Sequence, residues 1–479
     1  MSILPFAMVA IPASAGVASL LLPSRVGRVL TAIAGVATAI CILLVAWATA
    51  HGQGRTDALS ALFLLPVGIV YGTVGLYTYW YVRAESTGHD ERHQREFLAL
   101  TNAFACAEVI IPMLINLPGA WVALEGTTLI AALLVRMQGT DAALEAAWKY
   151  ILIASCGLAF GLLGVVILYA SAVHALGPSY APTWSVYLAA AHRLDPNSVR
   201  LAFVFSLVGF GTKMGLAPMH TWLPDAHGAG PTTTSAMLSG ALLSDALYII
   251  LRITSITRAA VGPQLPEHIF FIVGLLSLFL GAFFLLRQRD TKRMLAYSSI
   301  EHMGLIACGL GFGAPLAIAG ALLHVINHAA TKSMAFYGAG RIAHRYRTRE
   351  IDQVQGAVTV LPISGTLFVI AALALAGLPP FGIFRSELMI LAGGLGTSRW
   401  VPAVIMIALL VVSFAGLVRL VTGMGAGDAP AVPHGERFGI ASLAMVCGLV
   451  VVVGLGLFVP ASLGTLLTRA ADLVFGGAS

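Results

Sequence analysis

The stretch Phe203–His227, FVFSLVGFGTKMGLAPMHTWLPDAH, decides how this chain is read. An almost wholly apolar run carries one charge, Lys213, and then meets Pro218 before a short segment with two histidines and an acid. A comparable interrupted run, LALAGLPPFGIFRSELMIL, places Glu387 behind Pro379 and Pro380. Between the two lies HVINHAATKSMAFY, which holds another lysine, Lys332. In a water-soluble core these charges would be anomalies. In a membrane, where an ionisable group is costly to bury, they mark a route for ions.

Composition supports the membrane. Of 479 residues 58% are hydrophobic and 10% charged, and mean hydropathy is +0.90. Runs of about 20 apolar residues, enough to cross a bilayer, recur from end to end. The net charge of +6 is scattered over short loops, with no basic run that would point to nucleic acid. Cys41, Cys106, Cys156, Cys308 and Cys447 lie apart in apolar runs. Neither a disulfide scaffold nor an iron–sulfur cluster is expected from them. A nucleotide fingerprint, a phosphate-binding GxxxxGK and a metal-ligand cluster are also missing from the sequence, so no cofactor is expected in this chain. The start, MSILPFAMVAIPASAG, has no basic leader and reads as a first membrane helix.

The pattern predicts an all-α polytopic membrane protein of fourteen spans. They fall near 3–22, 27–50, 58–82, 97–115, 118–136, 150–170, 200–217, 231–251, 267–286, 294–312, 315–339, 359–393, 401–422 and 438–459. Helix is the expectation because open sheet edges do not survive in lipid. Pro379 and Pro380 break the overlong twelfth span, and Pro218 breaks the seventh. The loop 171–199 is long enough for a surface helix at Trp184–Arg193.

Basic residues set the orientation. Of the 27 lysines and arginines, Lys213, Lys332, Arg385 and Arg419 lie within spans. Arg55, Arg193, Arg200, Arg252, Arg258, Arg399 and Arg469 fall in loops after even spans or in the tail, which leaves sixteen after odd spans. The excess places the odd loops in the cytoplasm and both termini outside.

Several ionisable residues are candidates for a proton pathway. Glu125 lies inside the fifth span, and Lys149 stands four residues after Glu145 beside the sixth. Lys213 could gain or lose a proton according to its surroundings, or could snorkel from a helix end. His324, His328 and Lys332 recur at intervals of four, which puts them on one helical face as a relay or as a polar packing seam. Glu387 follows a helix break by about two turns, a recurrent setting for charge in transporters. Asp245, in SGALLSDALYIILR, could pair with Lys213 or join a lateral relay.

The set ALEGTTL, FGTKMGLAPMHTWLPDAH, RDTKRMLAYSSIEHMG, HVINHAATKSMAFYGAG and LAGLPPFGIFRSELMIL resembles the antiporter-like subunits of respiratory complex I, of multisubunit cation/proton antiporters and of membrane-bound hydrogenases. Over residues 57–422 it looks most like the F subunit of hydrogenase-4-type formate hydrogenlyase complexes. The resemblance implies two inverted five-helix repeats, 97–251 and 267–422, after three helices in 1–96 and before a last helix and tail in 423–479. It implies that Glu125 and Lys213 form a pair controlling the lysine's proton affinity, that Lys332 with His324 and His328 links the halves, and that Glu387 leads to the outer exit. An eighth-helix histidine of several relatives aligns with Ser239, so Asp245, water or His324 would take its part. The long lateral helix of the distal complex I subunit is not seen before Ser479, so that identity is not expected.

The resulting expectation is a proton-conducting subunit of an energy-converting hydrogenase or formate hydrogenlyase-like complex in the cytoplasmic (inner) membrane. The nickel–iron centre and iron–sulfur clusters would belong to partner subunits, among other membrane subunits and a peripheral redox arm. A Na⁺(K⁺)/H⁺ antiporter component is the alternative. A structural anchor that does not pump is a third reading, disfavoured because an anchor needs none of Glu125, Lys213, Lys332 and Glu387.

Overall fold

The computed structural model describes residues 3–54, 56–85, 90–397, 399–427 and 432–476; Arg55 and Ser479, named above, lie outside them. The helices are α1 (Leu4–Leu21), α2 (Ser24–Ala50), α3 (Ala58–Glu85), α4 (Glu91–Met113), α5 (Leu117–Arg136) and α6 (Asp141–Leu176). Then come α7 (Trp184–Ala189), α8 (Pro196–Met214), α9 (Trp222–Ala229), α10 (Thr232–Met237), α11 (Leu243–Val261), α12 (Gln264–Arg287) and α13 (Thr291–Gly311). The rest are α14 (Pro315–Tyr346), α15 (Ala357–Val360), α16 (Ser364–Leu375), α17 (Gly382–Leu395), α18 (Trp400–Gly425), α19 (Ile440–Leu457) and α20 (Ala461–Phe475). Among the described residues, eleven helical segments, counting α8 with α9 and α10 with α11 as one each, are long and apolar enough to cross a membrane. The protein is an all-α polytopic membrane protein.

Several helices start where a short polar side chain meets the freed N–H groups. Asp90, Asn116, Thr140, Asp195 and Asp290 each accept from the backbone N–H three residues on, a cap that contributes about 1 kcal/mol. Outer helices α2, α6, α12 and α18 turn Leu43, Phe160, Phe283 and Val411 outward, as lipid-facing surfaces do. Within Thr232–Val261 every residue up to Thr257 is buried, α13 buries nearly every side chain, and α14 buries its whole middle stretch, 320–339. These are the helices that carry polar groups, because only protein or water can satisfy them.

Two interruptions shape the interior. Gly215, at φ +81°, ends α8, a conformation that costs a residue with a Cβ about 1–2 kcal/mol. The chain then passes Pro218 and a 3₁₀ turn at Met219–Thr221 before α9. The freed groups find partners within the protein: Trp222 Nε1 donates to the Thr212 carbonyl at 2.8 Å, and Ala217 N donates to Ser277 Oγ at 2.9 Å. Between α16 and α17 the chain passes Gly377, at φ +70°, and Pro379–Pro380. There Asn327 Nδ2 donates to the Gly382 carbonyl at 2.7 Å.

Some boundaries differ from the sequence expectation. The sixth span, placed at 150–170, extends into the 36-residue α6, capped by Thr140. The stretch 359–393 contains α16 and α17, with α15 set apart at its start. The surface helix in the long loop forms as α7 followed by a 3₁₀ turn at Ala191–Arg193. A five-residue π-helical turn, Leu238–Leu242, lies between α10 and α11. The tail holds α20, whose Arg469 donates to the Thr49 carbonyl at 3.1 Å.

A loop carboxylate outside the spans pins the start of α16. Glu436 Oε1 accepts from Ile363 N at 2.6 Å, and Oε2 accepts from Ser364 Oγ and Arg341 Nη2, both at 2.8 Å. Burial pushes this carboxyl up, but the donors Arg341 and Ser364 outweigh it and hold it below the usual carboxylate range. A lowered folded value means stability that is present above the unfolded value, about 4.3, and is lost as pH falls below it. Glu436→Gln is expected to lower stability by about 2 kcal/mol at neutral pH. Thermal unfolding in detergent would show the gap closing as pH drops below about 4.

Candidate functional site

The interior polar residues fall into two groups. In the first, Lys213 is fully buried at the last turn of α8. Its Nζ donates to Tyr150 Oη at 2.5 Å and to Thr127 Oγ1 at 3.3 Å, and lies 4.8 Å from the Tyr150 ring centroid. Among the described residues no carboxylate lies within 4.0 Å of it. Glu125, on α5, instead accepts from Ser155 Oγ at 2.6 Å and Thr128 Oγ1 at 3.4 Å. Lys213 lies within range of the Glu125 charge, but hydroxyls stand where a direct ion pair would be. A protonated lysine held by hydroxyls and a ring face loses its proton at lower cost than one locked to a carboxylate.

The second group is built on α13 and α14. Lys332 is fully buried and donates to Ser298 Oγ and, at 2.8 Å, to the Leu295 carbonyl. Ser299, beside Ser298, shares a 2.8 Å hydrogen bond with Ser239 in the π-helical turn. Hydroxyls thus connect α14 through α13 to the α10–α11 segment at Ser239. His324 Nε2 lies 3.1 Å from His302 Nδ1, and its Nδ1 lies 3.0 Å from Ser386 Oγ on α17. His328 faces His302 at a 5.4 Å centroid distance, and neither of its ring nitrogens has a partner among the described residues. The spacing of four does align His324, His328 and Lys332, but their neighbours from α13 complete the array.

Glu387 is 8% exposed and sits next to Ser386. Its carboxylate packs over Gly377, where a Cβ would overlap Oε2. Asp245 is fully buried, with both carboxylate oxygens unpartnered among the described residues, and makes no ion pair with Lys213. Lys149 lies at the surface, 2.6 Å from Glu145 and 3.4 Å from Asp225. With Arg293 and Arg349 these line a 230 Å³ pocket.

Several buried titratable residues escaped the sequence reading, among them Glu301, His302, His227 and Glu108. Glu301 and His302 lie within the quoted SSIEHMG, and His227 ends the opening stretch. All three are buried, and His227 stacks on Phe336, one turn from Lys332, at 5.3 Å. Glu108 is fully buried on α4 with both oxygens unpartnered among the described residues. A lone acid in the apolar FACAEVIIP was the available signal.

Residues 115–413 match the family described as "NADH:quinone oxidoreductase/Mrp antiporter, TM". The chain is similar to the "Hydrogenase-4 component F homolog" of Methylacidiphilum infernorum, 35% identical over 409 residues, covering 84% of this chain and 85% of that one. It is similar to the "NADH-quinone oxidoreductase subunit N" of Desulforudis audaxviator, 32% identical, covering 71% and 68%. In fold it resembles a chain in the "Structure of the membrane-bound sulfane sulfur reductase (MBS), an archaeal respiratory membrane complex" (TM-score 0.85, 21% identity, 98% and 97% covered). A chain of "Respiratory complex I from Thermus thermophilus with bound NADH" is comparable (TM-score 0.84, 21% identity, 99% and 100% covered).

The contact between Glu387 and Gly377 can be tested directly. Gly377→Ala combines a left-handed φ with a Cβ that displaces the carboxylate, and is expected to cost about 1–2 kcal/mol or more in thermal stability. Gly464→Ala in α20, where a Cβ meets open space, is expected to leave stability unchanged or raise it by up to about 1 kcal/mol. Equal behaviour of the two variants would contradict the contact.

Proposed function

Because this chain belongs to the NADH:quinone oxidoreductase/Mrp antiporter transmembrane family, we propose that it is a proton-conducting membrane subunit of an energy-converting hydrogenase or formate hydrogenlyase-like complex. Redox chemistry in partner subunits, at a nickel–iron centre and iron–sulfur clusters, drives or is driven by proton movement through this chain. The observation that carries the reading is the pair of fully buried lysines, Lys213 and Lys332, each held by hydroxyls. A structural anchor has no use for two desolvated amines, whereas a proton carrier needs groups that can exist in both protonation states.

In this reading the chain crosses the membrane fourteen times with both termini outside. Residues 97–251 and 267–422 form inverted repeats, each broken once, near Pro218 and near Pro379–Pro380. Residues 1–96 supply three preceding helices, and 423–479 supply the last one with its tail. Protons enter at the charged surface near Lys149, load Lys213 under the influence of Glu125, and pass laterally through Asp245, Lys332, His328 and His324 toward Glu387. The hydroxyl contacts Ser239–Ser299 and Lys332–Ser298 support the lateral link, because proton transfer needs closely spaced groups or water between them.

Proton flux into vesicles holding the assembled complex, measured beside partner redox activity, tests the site. Lys213→Ala is expected to abolish translocation, and Lys213→Arg to keep charge while failing to release the proton. Lys332→Ala is expected to leave turnover without proton movement. An unchanged proton-to-electron ratio in Lys213→Ala would remove that residue from the route. For orientation, Arg347→Cys and Arg193→Cys, both at exposed positions, are expected to react with impermeant reagents from opposite sides of the membrane. Reaction from the same side would overturn the crossing pattern.

A further inference from the structure

Two carboxyls stand inside the bundle with no donor to hold them. Glu108 on α4 and Asp245 on α11 are both 0% exposed, and none of their four carboxylate oxygens has a hydrogen-bond partner among the described residues. The helices present them to one another. Tyr248, one turn after Asp245, donates to the carbonyl of Pro112, one turn after Glu108, at 3.2 Å. One turn further on, Arg252 lies 5.9 Å from the Trp184 ring, whose indole donates to the Leu114 carbonyl at 2.9 Å. The matched contacts advance together along both helices, so α4 and α11 run in the same sense here and the two carboxyls share a level. Each is within range of the other's charge, and Lys213 is within range of Glu108.

The other charges nearby are committed elsewhere. Arg252 is tied to Asp57, to Ser60 Oγ at 2.8 Å and to Tyr248 Oη at 3.0 Å, and Lys213 donates to Tyr150 and Thr127. Two ionised carboxylates excluded from water, without donors and facing one another, repel strongly. A single proton between them removes the repulsion and supplies the missing donor, since the O–H of one can donate to the oxygen of the other.

We propose that Glu108 and Asp245 form a carboxyl–carboxylate pair that stores one proton and accepts a second from Lys213. In the transfer, relayed through water because among the described residues no carboxylate lies within 4.0 Å of Lys213, an N–H bond of the Lys213 ammonium breaks and an O–H bond forms on Glu108. The lysine becomes a neutral amine, the pair passes from −1 to neutral, and no electron changes hands. Lys213 then stands between two acids of different character. Glu125 is half-buried and already takes hydrogen bonds from Ser155 and Thr128, whereas the inner pair has only its own proton. The pair follows from the structure alone; its role as acceptor rests on the proton-conducting reading.

Infrared spectroscopy of the full chain in lipid nanodiscs, with carbon-13-labelled Asp and Glu, tests the pair through the carbonyl band of protonated carboxyls and its shift in D₂O. Asp245→Asn is expected to shift the protonated-carboxyl band, because Glu108 loses the carboxylate that shares its proton. Glu108→Gln is expected to retain a protonated carboxyl at a shifted frequency, because Asp245 alone keeps the proton, and the double variant is expected to lose it. Wild type and Asp245→Asn with the same band intensity and position would overturn the pair, as would a double variant matching wild type. The translocation assay on these variants separates the two readings. Absence of the pair with normal proton flux removes only the pair, whereas its presence in a complex that moves no protons removes the acceptor role and the conducting function together.

Discussion

Everything in the interior depends on one constraint: a backbone amide or carbonyl freed inside the membrane has to be answered by the protein. The end of α8 shows how. The Thr212 carbonyl is met by the Trp222 indole and the Ala217 amide by the Ser277 hydroxyl, so the chain can leave the helix at Gly215 and resume it at Trp222. The interruption lets Lys213 end a helix at depth, its amine turned to Tyr150 and Thr127 instead of to the interface. A continuous helix would bury the same residue without these neighbouring backbone groups.

Hydroxyls are the common currency of both buried lysines. Ser298 serves Lys332 as Thr127 and Tyr150 serve Lys213, and the nearest carboxylates are held by other donors or by none. A hydroxyl can donate or accept, so it stabilises an ammonium and a neutral amine alike, while a carboxylate strongly favours the first. The arrangement keeps both protonation states accessible in a place where a naked charge costs several kcal/mol.

What the sequence discloses is what can be read along one dimension. Lys213, Lys332 and Glu387 stand out because a charge interrupts an apolar run, and the flanking prolines and glycines announce the turns there. Distances between helices carry no such mark. Nothing in ALEGTTL tells that Glu125 binds Ser155 instead of Lys213, and nothing in SGALLSDALYIILR tells that Asp245 faces α4. Glu108 was hidden by its isolation, since one acid in an apolar run reads as a tolerated exception until the helix it faces is known. The helix α20 was hidden differently: it is 15 residues long and apolar on one side, too short to register as a crossing. The length of α6 was missed because its first turns, DAALEAAWK, are polar enough to read as loop.

That length has a consequence for how the protein sits in lipid. At 1.5 Å per residue, the 36 residues of α6 span about 54 Å, against a hydrocarbon core of about 30 Å. Even with a steep tilt the helix is longer than the slab, and Asp141, Glu145 and Lys149 at its first turns belong to the part that emerges. A bilayer that thickens or thins can therefore ride along this helix, wetting or covering a turn of its charged end, without asking the helices around Lys213 to stretch. The depth of the buried lysine is set by protein packing, and variation in membrane thickness is absorbed at a rigid outer strut.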